Sequence, residues 1–289
     1  MKKQLSLLLA TLFIVIASFS QYSSSAIKQG VEEVKKDTIE NTLEEVIVSA
    51  KPYPQFKLVG DYKQPAWTLV RKFPSTRVYV MTPPGTVMYE KWFDVRTPRD
   101  GTPSEVRMKD EFAFGLGKRL ELDLYMHTVY KNNETLSTFG FRGFSWEIRY
   151  ALADWGKIPG NPTLYFEHKL LNGKQGIEPK LLLGDRIGKK GIWGFNVIYE
   201  ANLGGTNEEQ KREYAYTASY GKIINDDLTL GISHMFRYND YEGTSKEWYV
   251  GPLVQYRFNG HGYLNVEYMT GLNDEAKKSR TIIIFGWRF

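Results

Sequence analysis

Leu120-Glu-Leu-Asp-Leu-Tyr-Met-His127 carries the reading of the fold, and Phe144-Ser-Trp-Glu-Ile-Arg-Tyr-Ala-Leu152 repeats it. In the first stretch Leu120, Leu122, Leu124 and Met126 share one face of an extended chain, while Glu121, Asp123, Tyr125 and His127 share the other. In the second, Phe144, Trp146, Ile148, Tyr150 and Leu152 oppose Ser145, Glu147, Arg149 and Ala151. A period of two places successive side chains on opposite sides of a strand, so each segment has one apolar and one polar face. The same period recurs in Trp193, Phe195, Val197 and Tyr199, and in Trp248, Val250, Val254 and Tyr256.

Counting such segments gives about twelve strands. They fall near 86–97, 105–116, 119–130, 139–153, 162–171, 176–185, 192–201, 213–221, 227–238, 248–258, 261–269 and 280–289. Two arrangements expose one face of a sheet to water and bury the other: a soluble sandwich, and a closed barrel turned inside out in lipid. The apolar faces are rich in Tyr, Trp and Phe near segment ends, where rings would sit at membrane interfaces. Connections also alternate in length, from tight ones at Gly117-Lys118 and Asn259-Gly260 to long polar ones at 202–212 and 239–247. Both features favour an all-β chain forming a closed antiparallel transmembrane β-barrel of about 12 strands.

Composition agrees. A mean hydropathy of -0.41 with 25% charged residues excludes a bundle of apolar membrane helices. The net charge of +5 comes from 38 basic and 33 acidic residues that interleave throughout, so no basic stripe marks a nucleic-acid partner. There is no Cys to carry a lipid or a disulfide. At the N-terminus Lys2 and Lys3 precede the apolar run from Leu5 to Ala17, then Ser23-Ser24-Ser25-Ala26. That order reads as a secretory signal peptide over 1–26, with the mature chain expected to begin near Ile27. Residues 27–85 read as a periplasmic extension, a flexible arm followed by a segment holding Pro52, Pro54, Pro65, Pro74, Pro83 and Pro84. So many prolines argue against a central sheet position. The barrel is expected over 86–289.

Two short resemblances add to this. In Thr281-Ile-Ile-Ile-Phe-Gly-Trp-Arg-Phe289, residues Ile283, Phe285, Trp287 and Phe289 share one face and the stretch ends on the aromatic. This resembles the C-terminal signal of outer-membrane β-barrels, which implies the bacterial outer membrane as location, its lipid as surroundings and the barrel assembly machinery as partner. The stretch Leu43-Glu44-Glu45-Val46-Ile47-Val48 resembles the energy-coupling box of TonB-dependent receptors. A short apolar-acidic strand can add to a partner's sheet edge, so a periplasmic partner of the arm is implied. The plug domain and 22-strand barrel of that family do not fit in this length.

Candidate functional residues lie on the inward faces. Lys109 with Glu111, Glu147 with Arg149, Glu167 with Lys169 and Glu178 with Lys180 put opposite charges two residues apart, and Glu121 and Asp123 face the same way. Such a lining either neutralises itself in a filled lumen or forms a selectivity surface along an aqueous path. The first reading is a closed structural or interaction barrel with 51–85 folded into it; the second, which is preferred, is a narrow channel for small polar solutes. An enzyme ranks third: phosphate-loop and HExxH motifs are absent, the four His are scattered, and Ser233 and His234 point to opposite faces. No cofactor or metal is expected. For the hairpin across Asn172-Gly-Lys-Gln175, charge pairing predicts Lys169 opposite Glu178 and Glu167 opposite Lys180, over a loop centred on Gly173-Lys174, with Leu164, Phe166, Leu181 and Leu183 toward lipid.

Overall fold

The structure, a computed structural model, describes residues 55–132, 137–203, 212–240, 244–258 and 260–289. The leader, the start of the extension and the 43–48 stretch lie outside the described residues.

A two-residue ladder, β1 (Leu58–Val59) with β2 (Gln64–Pro65), comes first. Twelve long strands follow: β3 (Val87–Thr97), β4 (Glu105–Gly117), β5 (Leu120–Asn132), β6 (Ser137–Ala151), β7 (Thr163–Leu171) and β8 (Lys174–Ile187). The second half comprises β9 (Gly191–Leu203), β10 (Arg212–Ile223), β11 (Leu228–Asn239), β12 (Ser245–Phe258), β13 (Gly262–Gly271) and β14 (Ser279–Arg288). Each pairs antiparallel with its sequence neighbours, and β14 pairs with β3, so β3 to β14 form a closed barrel. Closure leaves no sheet edge, which is what lets strands cross hydrocarbon.

The outer face is apolar and exposed. Leu124, Phe141, Phe144, Leu164, Val197, Ile232, Val254 and Tyr256 all lie there, Phe144 being 56% exposed and Val197 50%. A soluble sheet would bury such a belt, and exposed apolar patches of this extent mark a lipid surface. Ile283, Phe285, Trp287 and Phe289 keep to one side of the final segment while Ile282 and Ile284 are buried inside, as the alternation predicts.

The β7–β8 hairpin departs from expectation. Glu167 stands directly opposite Glu178, Lys169 opposite Gly176 and Leu171 opposite Lys174, so the loop is Asn172-Gly173. Both loop residues have positive φ, 53° and 74°. That is the hairpin turn whose twist matches the strands, and Asn-Gly is its preferred sequence. Turn geometry therefore overrides the charge argument. The repulsion is relieved sideways: Lys169 lies 2.5 Å from Glu178 and 3.1 Å from Glu200 of β9, and Lys180 also pairs with Glu178. Glu167, Lys169, Glu178 and Lys180 line the lumen cavity, and Leu164, Phe166 and Leu181 face out.

Residues 55–85, grouped by sequence with the periplasmic extension, instead pack inside the barrel. They enter at the end where β3 begins and β14 finishes, rise to an apex near 71–77 and return, forming a plug. Trp67, Phe73, Tyr79 and Val80 are almost wholly buried. Phe73 and Val78 pack with Ile192, Ile223 and Leu253 of the wall, and Trp155 stands edge-on to both Trp67 (5.6 Å) and Tyr79 (5.3 Å). Close approach needs a gap in the wall. A Cβ on Gly194 would come within 2.9 Å of both Thr76 Cγ2 and Val78 Cγ1, so only glycine leaves room there.

Candidate functional site

The lumen has two charged layers. In the lower one, β3 to β6 carry Glu90, Glu111, Glu121, Asp123, Glu147 and Arg149, all fully buried, on one side of the wall. The register sets Glu90 opposite Glu111 and Asp123 opposite Glu147. Directly opposed carboxylates destabilise a ladder unless cations intervene. The plug supplies them. Arg71 Nε and Nη2 donate to Glu90 Oε2 at 2.8 and 2.6 Å, and Nη2 reaches Glu111 Oε1 at 3.2 Å. Arg77 Nη2 donates to Glu111 Oε1 at 2.6 Å and to the Tyr125 hydroxyl at 2.8 Å, lying 3.7 Å from Asp123 and 3.9 Å from Glu147. Arg149 completes the layer, 2.5 Å from Asp123 and 2.7 Å from Glu147, and it also pairs with Glu121.

Around the rest of the circumference the plug meets amides, hydroxyls and one carboxylate, Glu267. Asn196 accepts the Arg77 N–H and donates to the Arg77 carbonyl, both at 2.7 Å. Asn265 donates to the Arg71 carbonyl at 2.7 Å, and Ser75 donates to Glu267 at 3.0 Å. Thr76 and Ser219 hydroxyls are 2.8 Å apart. Lys72 donates to Gln255 Oε1 at 2.6 Å. Burial, with repulsion from Arg257, holds the Lys72 ammonium well below the usual lysine range despite Asp227 and Asp226.

Above the plug lies a vestibule of about 280 Å³, floored by Arg71, Pro74, Ser75 and Arg77. Its wall holds Lys109, Glu167, Lys169, Glu178 and Lys180 of the predicted set, together with Arg96, Arg107, Arg142, Arg237 and Arg280, which sequence reasoning did not single out. Arg96 and Arg280 share Asp94, and Arg237 holds Glu213 at 2.5 Å. Alternation along β3 places Glu90, Trp92, Asp94 and Arg96 inward, and that signal was available in the sequence. The plug contacts were not.

Of the four pairs expected from spacing, two form, Glu147 with Arg149 and Glu178 with Lys180. Glu111 is claimed by Arg71 and Arg77, leaving Lys109 over the rings of Trp92 (4.1 Å) and Tyr125 (4.8 Å). Glu167 accepts hydroxyls from Ser145 at 2.6 Å and Tyr165 at 2.8 Å rather than pairing with Lys169. His127 Nε2 lies 2.8 Å from Ser145 Oγ. Since that hydroxyl donates to Glu167, the imidazole does not take its proton, the reverse of an activated serine. His234 stands on the outer face, stacked on Tyr216 at 5.5 Å, while Ser233 is buried inside.

No protein-family model matches the chain, and no curated protein matches it. Among solved structures it is similar to the NanC porin, at 13% identity and a TM-score of 0.48 over 69% of this chain and 97% of that one. It is similar to the KdgM porin at 12% identity and a TM-score of 0.44, over 70% and 98% respectively. The translocator domain of autotransporter NalP from Neisseria meningitidis gives 11% identity and a TM-score of 0.43, over 71% and 88%. At these scores the similarity is a likeness only. The closed even-stranded ladder, the lipid-facing belt and the polar interior of this chain are together those of an outer-membrane β-barrel.

Proposed function

We propose that the barrel is a conduit for small polar solutes whose lumen residues 55–85 hold shut, so that passage requires the plug to move. The observation that carries this is the chemistry of the plug's seat. Around the lower layer the wall offers carboxylates, amides and hydroxyls, and the plug answers with guanidiniums, an ammonium and backbone groups. A permanently filled interior gains nothing from buried charge over an apolar fill of equal volume. A wall that is to be wetted once the plug leaves must be polar, because water then satisfies what the plug satisfied before. Apolar contacts complete the seat: Phe73 and Val78 pack on Ile192, Ile223 and Leu253, Val70 joins the cluster of Met88 and Ala113, and Tyr79 and Val80 join Ala151.

No catalytic step is part of this reading. A closed barrel with a structural role is the competing one, favoured by the completeness of the plug's burial. Planar-bilayer recordings separate them. The full chain should be quiet or open rarely, and a variant lacking residues 57–82 should give stable conductance steps. A deletion variant that folds, judged by heat-modifiable mobility, yet stays silent would overturn the conduit.

A further inference from the structure

Glu90, Glu111, Glu121, Asp123 and Glu147 form a belt whose charge the wall itself covers only in part. Arg149 spans Glu121, Asp123 and Glu147. Lys109 stands above, over the rings of Trp92 and Tyr125, drawn by both Glu111 and Glu167. Five buried carboxylates therefore face two wall cations, and Glu90 and Glu111 take their ion pairs from the plug. Neutral donors orient the belt. Trp92 Nε1 donates to Glu90 at 3.0 Å and to Glu111 at 2.8 Å, the Tyr263 hydroxyl donates to Glu90, and the Tyr125 hydroxyl donates to Glu147. These donors belong to the wall, so they fix the carboxylates independently of the plug.

What the belt holds is guanidinium. Arg71 forks onto Glu90 through Nε and Nη2, with its Cζ 4.3 Å from the centre of the Trp92 ring. Arg77 sets Nη2 between Glu111 and the Tyr125 hydroxyl, inside 4 Å of Asp123 and Glu147. A two-nitrogen fork on a carboxylate beside an indole face suits a planar guanidinium and not the point charge of an ammonium. The plug's own fit is incomplete. Nη1 of Arg71, Nη1 of Arg77 and Oδ1 of Asp123 are buried with no hydrogen-bond partner among the described residues. A guanidinium free of the plug backbone is under no such tether and can turn its donors onto the unspent acceptor. Arg77, Trp92 and Tyr125 also line the vestibule, so a solute there meets the belt where Arg77 enters it.

We propose that this belt is the conduit's recognition site and that its solute carries a guanidinium group, whose place Arg71 and Arg77 take while the plug is docked. Solute and plug then compete for the same carboxylates. As an account of what the conduit admits this rests on the conduit reading, but binding to the belt is measured without any conductance. The test is calorimetric titration of folded, detergent-solubilised full-length Arg77→Ala with methylguanidinium chloride, beside the wild-type chain, at constant ionic strength. The variant vacates the Glu111 side of the belt and should bind saturably, roughly tenfold or more tighter than the wild-type chain, whose own guanidinium fills the place. Adding Glu111→Gln to Arg77→Ala should abolish that gain, and methylammonium and the neutral N-methylurea should bind the single variant more weakly than methylguanidinium does. Arg71→Ala, which vacates the Glu90 side, gives the same reading where Arg77→Ala does not fold. Binding by the single variant no tighter than wild type, a gain that survives Glu111→Gln, or equal binding of methylammonium or N-methylurea would overturn the proposal. Each of these leaves the conductance of the plug-deleted barrel, and so the conduit, untouched, whereas silence from that barrel would overturn the conduit without altering a measured guanidinium affinity.

Discussion

Replacing Arg77 by Ala should unlatch the plug. Arg77 is 7% exposed and makes a 2.6 Å ion pair with Glu111, which is fully buried, with Asp123 and Glu147 inside 4 Å. Removing one partner of a buried pair costs about 3–5 kcal/mol, because the remaining charge loses its counterion without regaining bulk water. Arg71 still touches Glu111 at 3.2 Å and Arg149 still holds Asp123 and Glu147, which places the cost at the lower end of that range. In the undocked state water reaches the carboxylates, so the penalty falls on the docked state alone. At about 1.4 kcal/mol per factor of ten, a loss of about 3 kcal/mol shifts the docked-to-undocked ratio by roughly 10²-fold. Single-channel recording reads this as a comparable rise in the fraction of time open. Arg77→Ala combined with Glu111→Ala removes both charges and should recover most of the closure, since no uncompensated group remains. Equal open fractions for the wild-type chain and folded Arg77→Ala would refute the reasoning, and so would a double variant more open than the single.

Two further outcomes follow from particular contacts. Gly194→Val should displace the plug from β9, since even a Cβ there meets Thr76 and Val78 at 2.9 Å, whereas Gly140→Val, where a Cβ's nearest neighbour is the Val129 side chain at 3.8 Å, should be tolerated; protease sensitivity of residues 55–85 in the folded barrel checks both. Deleting Phe289 should reduce the yield of heat-modifiable barrel more than deleting 31–50, because Phe289 N–H bonds Val87 O at 2.9 Å across the closing seam and its ring completes the outward aromatic row; equal yields would contradict this.

What the sequence by itself determined is whatever depends on local periodicity. Alternation in Leu120–His127 and Phe144–Leu152 is a property of the chain alone, because a strand's geometry sends neighbours to opposite faces wherever it sits. Strand number, antiparallel order, the inward set from Lys109 to Lys180 and the outward row ending at Phe289 were therefore legible. Asn172-Gly173 carries the hairpin-turn preference in its own sequence, and that local preference outweighs the charges directly opposed across one ladder. Tertiary structure decided the rest, since a lumen is shared by strands distant in the chain. Glu178 finds Lys169 diagonally and Lys180 on its own strand, while Lys169 also reaches Glu200 on β9, so a register that looks repulsive in two strands is neutral in three. Residues 55–85 show the same limit more sharply. Their prolines say only that they are not central strand, and nothing in Arg71 or Arg77 read alone distinguishes a solvated arm from a plug. That distinction is made by five carboxylates gathered on β3 to β6, which become a single electrostatic site only when the barrel closes and water is excluded from between them.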